Sequence, residues 1–277
     1  MIMASAFAAL AFVSCNKEEA KTTQELTYKF TIGEKPGYGV DSRAVKTGWE
    51  EGDKIYIVFD DNTPVALSDF MIIQYQSGNW NVVQQPAHAP SASGTLDALF
   101  YNGPTTNMNF PSGKAEFRDA VNLPLILTEN RSYTVSGNVV SGTIDMYVPG
   151  ESVQICVTGL PDSEWKIAFD ADFLDKYAFL YRGDSFGIYS RNRDYNTFAT
   201  LSNVGGAYYL HPLVIGSGVF GIARDYHFRL YSSGYGAWKK SFAGKTINEK
   251  DAIKFSGPSG ITGSEAAGTV VNGWTKE

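Results

Sequence analysis

The chain has little cysteine and little histidine. Its 277 residues include 2 cysteines and 3 histidines. If Cys15, which follows an apolar leader, carries a lipid, then Cys156 is the only thiol left and no intrachain disulfide can form. Stability must then come from burial of a hydrophobic core, which a chain of this length permits. The shortage of histidine argues against a histidine-rich metal site, and we expect no metal and no other cofactor.

The chain also lacks an excess of positive charge. Its formal net charge is −6, which argues against nucleic acid as a partner, because phosphate binding requires a basic surface. The hydrophobic content of 43% and aromatic content of 14% are enough to fill real cores, so the bulk of the chain is not disordered. Roughly 260 residues follow the leader, enough for two ordinary domains or one large β-domain.

Helical patterns are missing as well. No segment of ten or more residues has apolar residues at convincing helical spacing. Leu26–Ile32 and Tyr226–Tyr231 instead alternate between apolar and polar residues, and Lys54–Phe59 is a β-branched and aromatic run typical of a buried strand. Phe70–Val83 predicts a hairpin. Short strands separated by Gly, Asn and Ser favour an all-β fold of sandwiches over a parallel α/β sheet, with a boundary near Pro149-Gly150.

The N-terminal leader predicts export. Residues 1–14 are almost wholly apolar and end in a small residue, Ser14, directly before Cys15. This pattern is typical of a signal peptide whose cysteine is lipidated after cleavage. A membrane span would need about 20 apolar residues, and this run is shorter. Phe12 stands where leucine is usual, and no Lys or Arg precedes the run, so the true start methionine stays open.

The residues after the cysteine refine the predicted location. Lys17, Glu18 and Glu19 resemble the surface-export signal of outer-membrane lipoproteins in a large group of Gram-negative anaerobes. An ordinary polar tether is the alternative. We therefore predict a signal peptide over residues 1–14, a lipidated tether over 15–25, and β-sandwich domains over 26–149 and 150–277. The membrane partner would be the outer membrane, reached through the lipid on Cys15, with the protein facing the cell surface.

Several stretches together resemble the fimbrillin-like (FimA/Mfa-type) lipoproteins, a family of pilus subunits and adhesins. Ser42-Arg43-Ala44 followed by Trp49-Glu50-Glu51-Gly52-Asp53-Lys54-Ile55 is similar to the start of that family's first domain. Phe70–Trp80, Ser93–Ala98 and Phe242–Thr246 resemble later strands. The resemblance implies two tandem transthyretin-like (Greek-key) β-sandwich domains. It also implies a non-catalytic fimbrial, accessory or adhesion role, with an unidentified ligand on a host or bacterial surface.

The resemblance also implies a way of assembling. In pilus subunits of that family a protease cuts after an arginine early in the first domain, and a strand of the neighbouring subunit fills the groove that is left. Arg43 is the position that could match, although an exposed loop arginine is the favoured alternative. The extended stretch Gly268–Trp274 could donate a strand to another subunit. Closing its own sandwich is the better prediction for it.

A carbohydrate-binding surface lipoprotein is the rival prediction. Flat aromatic faces beside polar groups suit sugars, and the second half contains an aromatic and basic zone. Its members are Tyr181, Arg182, Tyr189, Arg191 and Tyr195, with Tyr177, Arg193, Tyr208 and Tyr209 nearby. The alternative is that these tyrosines fill a core and edge strands, which is more common.

The motifs that could indicate catalysis do not combine. The glycines of Gly216–Gly221 match G-x-G-x-x-G, but no helix is predicted after them. Arg182-Gly183-Asp184 and the acidic run from Asp170 to Asp175 are weak patterns that recur by chance. His88, His211 and His227 lie in unrelated contexts, and no G-x-S-x-G is present. We therefore predict that the protein is not an enzyme.

Overall fold

The computed structural model describes residues 25–39, 46–59, 66–110, 115–117, 124, 126–150, 152–170, 173–174, 178–181, 186–189, 198–214 and 219–277. Within these ranges the protein is nearly all β, as predicted, and its helical content is limited to single 3₁₀ turns at Leu67–Asp69 and Thr105–Asn107. In the same ranges, no helix is long and apolar enough to span a bilayer.

The described strands of the first half form one large sheet and take part in several small pairings. They are β1 (Thr27–Ile32), β2 (Lys35–Pro36), β3 (Lys46–Thr47), β4 (Lys54–Phe59), β5 (Met71–Gln76), β6 (Asn79–Gln84), β7 (Gly94–Phe100), β8 (Met108–Asn109), β9 (Ala115–Phe117), β10 (Leu127–Ser136) and β11 (Val139–Ile144).

The described strands of the second half form mainly two sheets. They are β12 (Gln154–Thr158), β13 (Lys166–Phe169), β14 (Phe173–Leu174), β15 (Ala178–Tyr181), β16 (Phe186–Tyr189), β17 (Ala199–Thr200), β18 (Ser202–Val204), β19 (Ala207–Leu210), β20 (Leu213–Val214), β21 (Ala223–Ser232), β22 (Gly236–Thr246), β23 (Ala252–Ser256), β24 (Val270–Val271) and β25 (Trp274–Lys276).

The large sheet of the first half has seven strands in the order β1-β11-β10-β7-β4-β5-β6. Only the β1–β11 pair in this sheet is parallel. The interior strand β4 is buried on both faces: Ile55, Ile57 and Phe59 join one apolar cluster, and Tyr56 and Val58 join another. Burial on both faces explains why its sequence is continuously apolar rather than alternating.

The predicted hairpin between β5 and β6 is confirmed. Its loop is Ser77-Gly78, and both residues have positive φ, 51° and 82°. A two-residue hairpin loop of this kind needs left-handed backbone at both positions, because that twist matches the twist of the flanking strands. The glycine adopts it without steric cost. Local turn chemistry therefore sets the register of this edge of the sheet.

The second half contains a sandwich. A four-stranded sheet, β18-β19-β12-β23, faces a six-stranded sheet, β17-β13-β21-β22-β25-β24. Their shared core includes Trp165, Trp238 and Trp274, each with no exposed surface. Strand β21 buries Tyr226, Phe228 and Leu230 and exposes the residues between them, which confirms the predicted alternation.

One small sheet joins the two halves of the chain. Its order is β16-β15-β9-β8, and β15 pairs with β9 in the register Phe179↔Phe117 to Tyr181↔Ala115. These strands come from both sides of the expected boundary at Pro149-Gly150. The division into domains at 26–149 and 150–277 stays a prediction.

The buried phenol of Tyr56 predicts a loss of stability at alkaline pH. Burial, with a smaller contribution from neighbouring Tyr101, raises its pKa from 10.0 to about 12. Between these values the unfolded chain releases the proton and the folded chain keeps it, so stability falls as pH rises. We expect the stability advantage of the wild type over Tyr56→Phe to shrink by about 1 kcal/mol between pH 10 and pH 11 in urea unfolding. A pH-independent difference would contradict this assignment.

Candidate functional site

The first strand lies at an edge of the seven-stranded sheet. β1 runs parallel to β11, in register from Thr27↔Val139 to Ile32↔Ile144. The Thr27 N–H donates to the Asn138 carbonyl at 2.8 Å, and the Gly33 N–H donates to the Ile144 carbonyl at 3.0 Å. A parallel partner this far away in sequence makes β1 an added strand on a sheet that is otherwise built of antiparallel neighbours.

The inner face of β1 is only half-buried. Tyr28, Phe30 and Ile32 point to the core while the residues between them are exposed. The rings of Tyr28 and Phe30 lie 6.2 and 6.4 Å from the ring of Phe59, which itself has no exposed surface. Burial raises the pKa of the Tyr28 phenol above its usual value. β1 therefore covers the core without being enclosed by it.

A buried ion pair holds the chain just after β1. The Lys35 ammonium lies 2.8 Å from the Asp53 carboxylate, and the two side chains are 11% and 3% exposed. The ammonium also lies 4.6 Å from the centroid of the Phe100 ring and 5.5 Å from the Trp49 ring, within cation–π range. We call Asp53, Phe100 and Trp49 the cation pocket.

The Trp-Glu-Glu-Gly-Asp stretch builds this pocket through a tight turn. The Asp53 N–H donates to the Glu50 carbonyl at 3.0 Å, and the Glu50 N–H donates to Asp53 Oδ2 at 2.9 Å. Gly52 between them has φ 92°, a conformation that favours glycine. Asn102, on the loop after β7, donates from Nδ2 to Asp53 Oδ1 at 2.8 Å. The Glu50 N–H and the Asn102 amide therefore hold the two carboxylate oxygens in position, in addition to the contact with Lys35.

Trp49 also binds the segment directly. Its indole Nε1–H donates to the Gly33 carbonyl at 2.8 Å. Its ring meets Trp80 of β6 edge-on at 5.0 Å, which ties it to the far edge of the same sheet. The stretch that carries the family resemblance thus forms the site that holds the end of β1.

Beyond the ion pair, the segment touches the second half of the chain. The hydroxyl oxygens of Tyr38 and Ser152 are 2.5 Å apart, and the Tyr38 ring lies 5.4 Å from the His211 ring. The Gly39 N–H donates to the Lys250 carbonyl at 2.9 Å. Residues 25–39, which we call the first-strand segment, are thus fastened at both ends.

A cleft of about 530 Å³ opens beside this segment. Lys35, Asp53 and Asn102 line one side, and Gln154, Tyr209 and His211 line the other. His211 is buried, with Nε2 3.0 Å from Gln154 Nε2. Across the described ranges no three His, Cys, Asp or Glu side chains cluster as a metal ligand set. The cleft therefore brings together ionic, hydrogen-bonding and aromatic side chains from both halves of the chain.

Most residues predicted as sites from the sequence lie outside the described residues. These are Cys15, Lys17, Glu18, Glu19, Arg43, Arg182, Arg191 and Tyr195. Tyr181 and Tyr189 lie on the paired strands β15 and β16, with Ala178 opposite Tyr189 and Phe186 opposite Tyr181. Lipidation, export, processing and glycan contact at these positions all stay predictions.

Tyr208 of the expected sugar-binding zone belongs to the core instead. It is 1% exposed, and its hydroxyl donates to the carbonyls of Pro161 and Ser163 at 3.1 and 3.2 Å. Its alternation with half-buried neighbours on β19 reflects packing. A glycan contact for Tyr208 is therefore wrong, in line with the core-filling alternative.

The histidines are placed in three different settings. His88 is exposed in its loop, His211 is buried beside the cleft, and His227 on β21 pairs with Asp170 on the surface. Asp170 also accepts the His227 backbone N–H at 3.1 Å, and its side chain remains exposed.

Lys35 is the functional residue that sequence reasoning missed. It lies in the Gly- and Pro-containing stretch after β1, where neither strand nor helix periodicity identifies a buried side chain. Asp53 was part of the stretch resembling the fimbrillin-like family, but its charge partner was not predicted. The only local signal is a lysine three residues after the end of an amphipathic strand.

The C-terminal stretch closes the second sandwich, as the favoured prediction had it. β25 pairs with β22, placing Trp238 opposite Lys276. Trp274 is fully buried, and its indole N–H donates to the Ser256 carbonyl at 2.8 Å. Strand donation by this stretch would require withdrawing that tryptophan from the core.

No family model matches the chain, and no curated protein matches it. It is similar to solved structures of a candidate cell adhesion protein from Bacteroides ovatus (12% identity, 84% of this chain and 91% of that one, TM-score 0.45). Another candidate cell adhesion protein, from Bacteroides uniformis, gives 12% identity over 85% and 92% of the two chains, with TM-score 0.44. A fimbrial protein from Bacteroides ovatus gives 8% identity over 84% and 48%, with TM-score 0.38. At these scores the similarities establish neither a family nor a function.

Proposed function

We propose that the protein is a non-catalytic fimbrial or adhesion subunit of the cell surface, and that its first-strand segment is a replaceable part of its fold. The observation that carries this proposal is the placement of β1: within the described residues it is a half-buried edge strand that pairs with β11. The sequence resemblance to fimbrillin-like lipoproteins supports the same role.

Anchoring follows from the N-terminal residues. Cys15 would carry the lipid, and Lys17, Glu18 and Glu19 would direct the protein to the outer face of the outer membrane. Each buried methylene of an acyl chain contributes about 0.8 kcal/mol, and stable anchoring takes more than one chain. Residues 16–24 would then connect the lipid to β1, and the two sandwich domains over 26–149 and 150–277 would follow.

Strand replacement follows from the position of β1 relative to Arg43. Arg43 lies four residues beyond Gly39, so cleavage after it would separate the entire first-strand segment from the rest of the chain. Departure of that segment would uncover the outer edge of β11 and the ring of Phe59. An exposed sheet edge above an apolar core is a site at which an extended strand of another subunit can add.

A denaturing gel of surface fractions tests this proposal. We expect a high-mass ladder in unboiled samples that collapses on boiling, with a mature N-terminus at Ala44, and we expect Arg43→Ala to abolish the ladder. Boiling separates strand-exchanged subunits because only non-covalent contacts join them. A single monomer band that still carries lipid on Cys15 would contradict the polymerising role and leave the anchor or accessory role.

A further inference from the structure

We propose that the cation pocket selects which strand can occupy the β11 edge, and that it accepts a parallel strand only if that strand places an ammonium or guanidinium group against Asp53. This inference rests on the strand replacement proposed above and names the chemistry of the partner. The ligand is a polypeptide strand, and the selecting groups are Asp53, Phe100 and Trp49.

The burial of Asp53 makes the pocket selective. Only 3% of its side chain is exposed, and its remaining hydrogen bonds come from the Glu50 N–H and the Asn102 amide. These are neutral donors. A strand that lacked a cation would leave a buried carboxylate without a counter-charge, which is strongly unfavourable.

Position along the strand adds a second requirement. Tyr28, Phe30 and Ile32 face the core, and Lys35 follows three residues after the last of them. A Cβ at Gly33, between Ile32 and Lys35, would meet only the end of the Asp145 side chain at 2.5 Å, which can move aside. The site therefore fits the pattern apolar-x-apolar-x-apolar-x-x-cation, read parallel to β11.

The chain's own C-terminal stretch does not have this pattern. Its lysine, Lys276, comes two residues after Trp274, whereas Lys35 comes three residues after Ile32. Trp274 is also enclosed in the second sandwich. Residues 25–39 carry the pattern, and the proposed cleavage after Arg43 removes them from the mature chain, so the incoming strand is expected from a partner protein that carries the same pattern.

The experiment uses the full chain with a specific protease site inserted between Gly39 and Lys46. After cleavage, fluorescent synthetic peptides of residues 25–39 compete for the site against the resident segment. The variants are Lys35→Met, Lys35→Arg and Lys29→Met. Lys29 is the matched control, because it lies on β1 with an exposed side chain.

We expect the Lys35→Met peptide to bind at least about a hundredfold more weakly than the wild-type peptide. The Lys29→Met peptide should stay within about threefold, because exposed charges contribute little, and Lys35→Arg should keep most of the affinity. In chains with Asp53→Asn the preference for lysine should largely disappear. Equal binding of the Lys35→Met and Lys29→Met peptides would overturn the proposal.

If the resident segment does not exchange with the peptides in native buffer, we measure how much of it is released from the cleaved chain at increasing urea concentrations. We expect release at lower urea from Lys35→Met chains than from Lys29→Met chains, and equal midpoints would overturn the proposal. This experiment is independent of the gel test of strand replacement. Even if the protein forms no ladder on the gel, segment release still shows whether Lys35 holds the first-strand segment.

Discussion

Replacing Trp274 with alanine is expected to lower the free energy of unfolding by about 3–5 kcal/mol, the usual cost of deleting a buried tryptophan. The side chain has no exposed surface, packs 5.6 Å from the Phe255 ring, and donates from its indole to the Ser256 carbonyl. The substitution removes apolar contacts and leaves that carbonyl without its partner. Urea unfolding followed by tryptophan fluorescence and circular dichroism gives the measurement.

Val270→Ala is the matched control for the same hairpin. Val270 on β24 is 62% exposed, so its truncation should change stability by less than about 0.5 kcal/mol. A similarly small effect of Trp274→Ala would show that the C-terminal stretch is not enclosed in its own sandwich. Its role as a donated strand would then regain support.

Replacing Phe59 with alanine is expected to cost a similar amount, about 3–5 kcal/mol. Phe59 is the last residue of the interior strand β4 and has no exposed surface. Its ring packs edge-on against the Tyr133 ring, with 5.0 Å between the ring centroids. It also supports Tyr28 and Phe30 of β1. The resulting cavity would lie directly under the first strand, so hydrogen exchange at the β1 amides should quicken together with the loss of global stability.

Val83→Ala controls for truncation elsewhere in the same sheet. Val83 on edge strand β6 is 47% exposed, and we expect its substitution to leave both stability and β1 exchange nearly unchanged. If Phe59→Ala lowered global stability without changing exchange at β1, the packing of β1 over Phe59 would not be what holds that strand.

Trp274 and Phe59 show how differently the C-terminal stretch and β1 are buried. Trp274 contributes a fully enclosed side chain to its own core, whereas β1 contributes half-buried side chains that rest on Phe59. Since apolar stabilisation scales with the area removed from water, withdrawing the Trp274 side chain costs more than withdrawing any one of the half-buried side chains of β1. This difference is why the proposed replacement is assigned to the first strand.

Local sequence patterns were sufficient where each residue's environment follows from its immediate neighbours. Alternation in β1 and β21 predicted one buried face, and the β-branched and aromatic run Lys54–Phe59 predicted a buried strand. The Gly-containing loop Ser77–Asn79 between two strand-like runs predicted a hairpin. The strands and the all-β class could therefore be recognised without a structure.

The sequence patterns did not predict which strands pair with one another. Nothing in the Tyr28–Ile32 alternation specifies Val139–Ile144 as its neighbour, or a parallel direction. Periodicity reports that a face is buried, but it does not report which distant face covers it. The pairing of β9 with β15 across the expected boundary was missed for the same reason, and periodicity left open whether Tyr208 fills the core or faces a ligand.

The sequence by itself determined the strands, their buried faces and the predicted exported start of the chain, because these depend on residue type and short-range spacing. Only the tertiary structure decided that β1 is an edge strand and that Lys35 meets Asp53, 18 residues away, in a buried pocket. That pair depends on a turn, a loop after β7 and two aromatic rings meeting in space. An ion pair becomes selective only when the surrounding packing removes water from it.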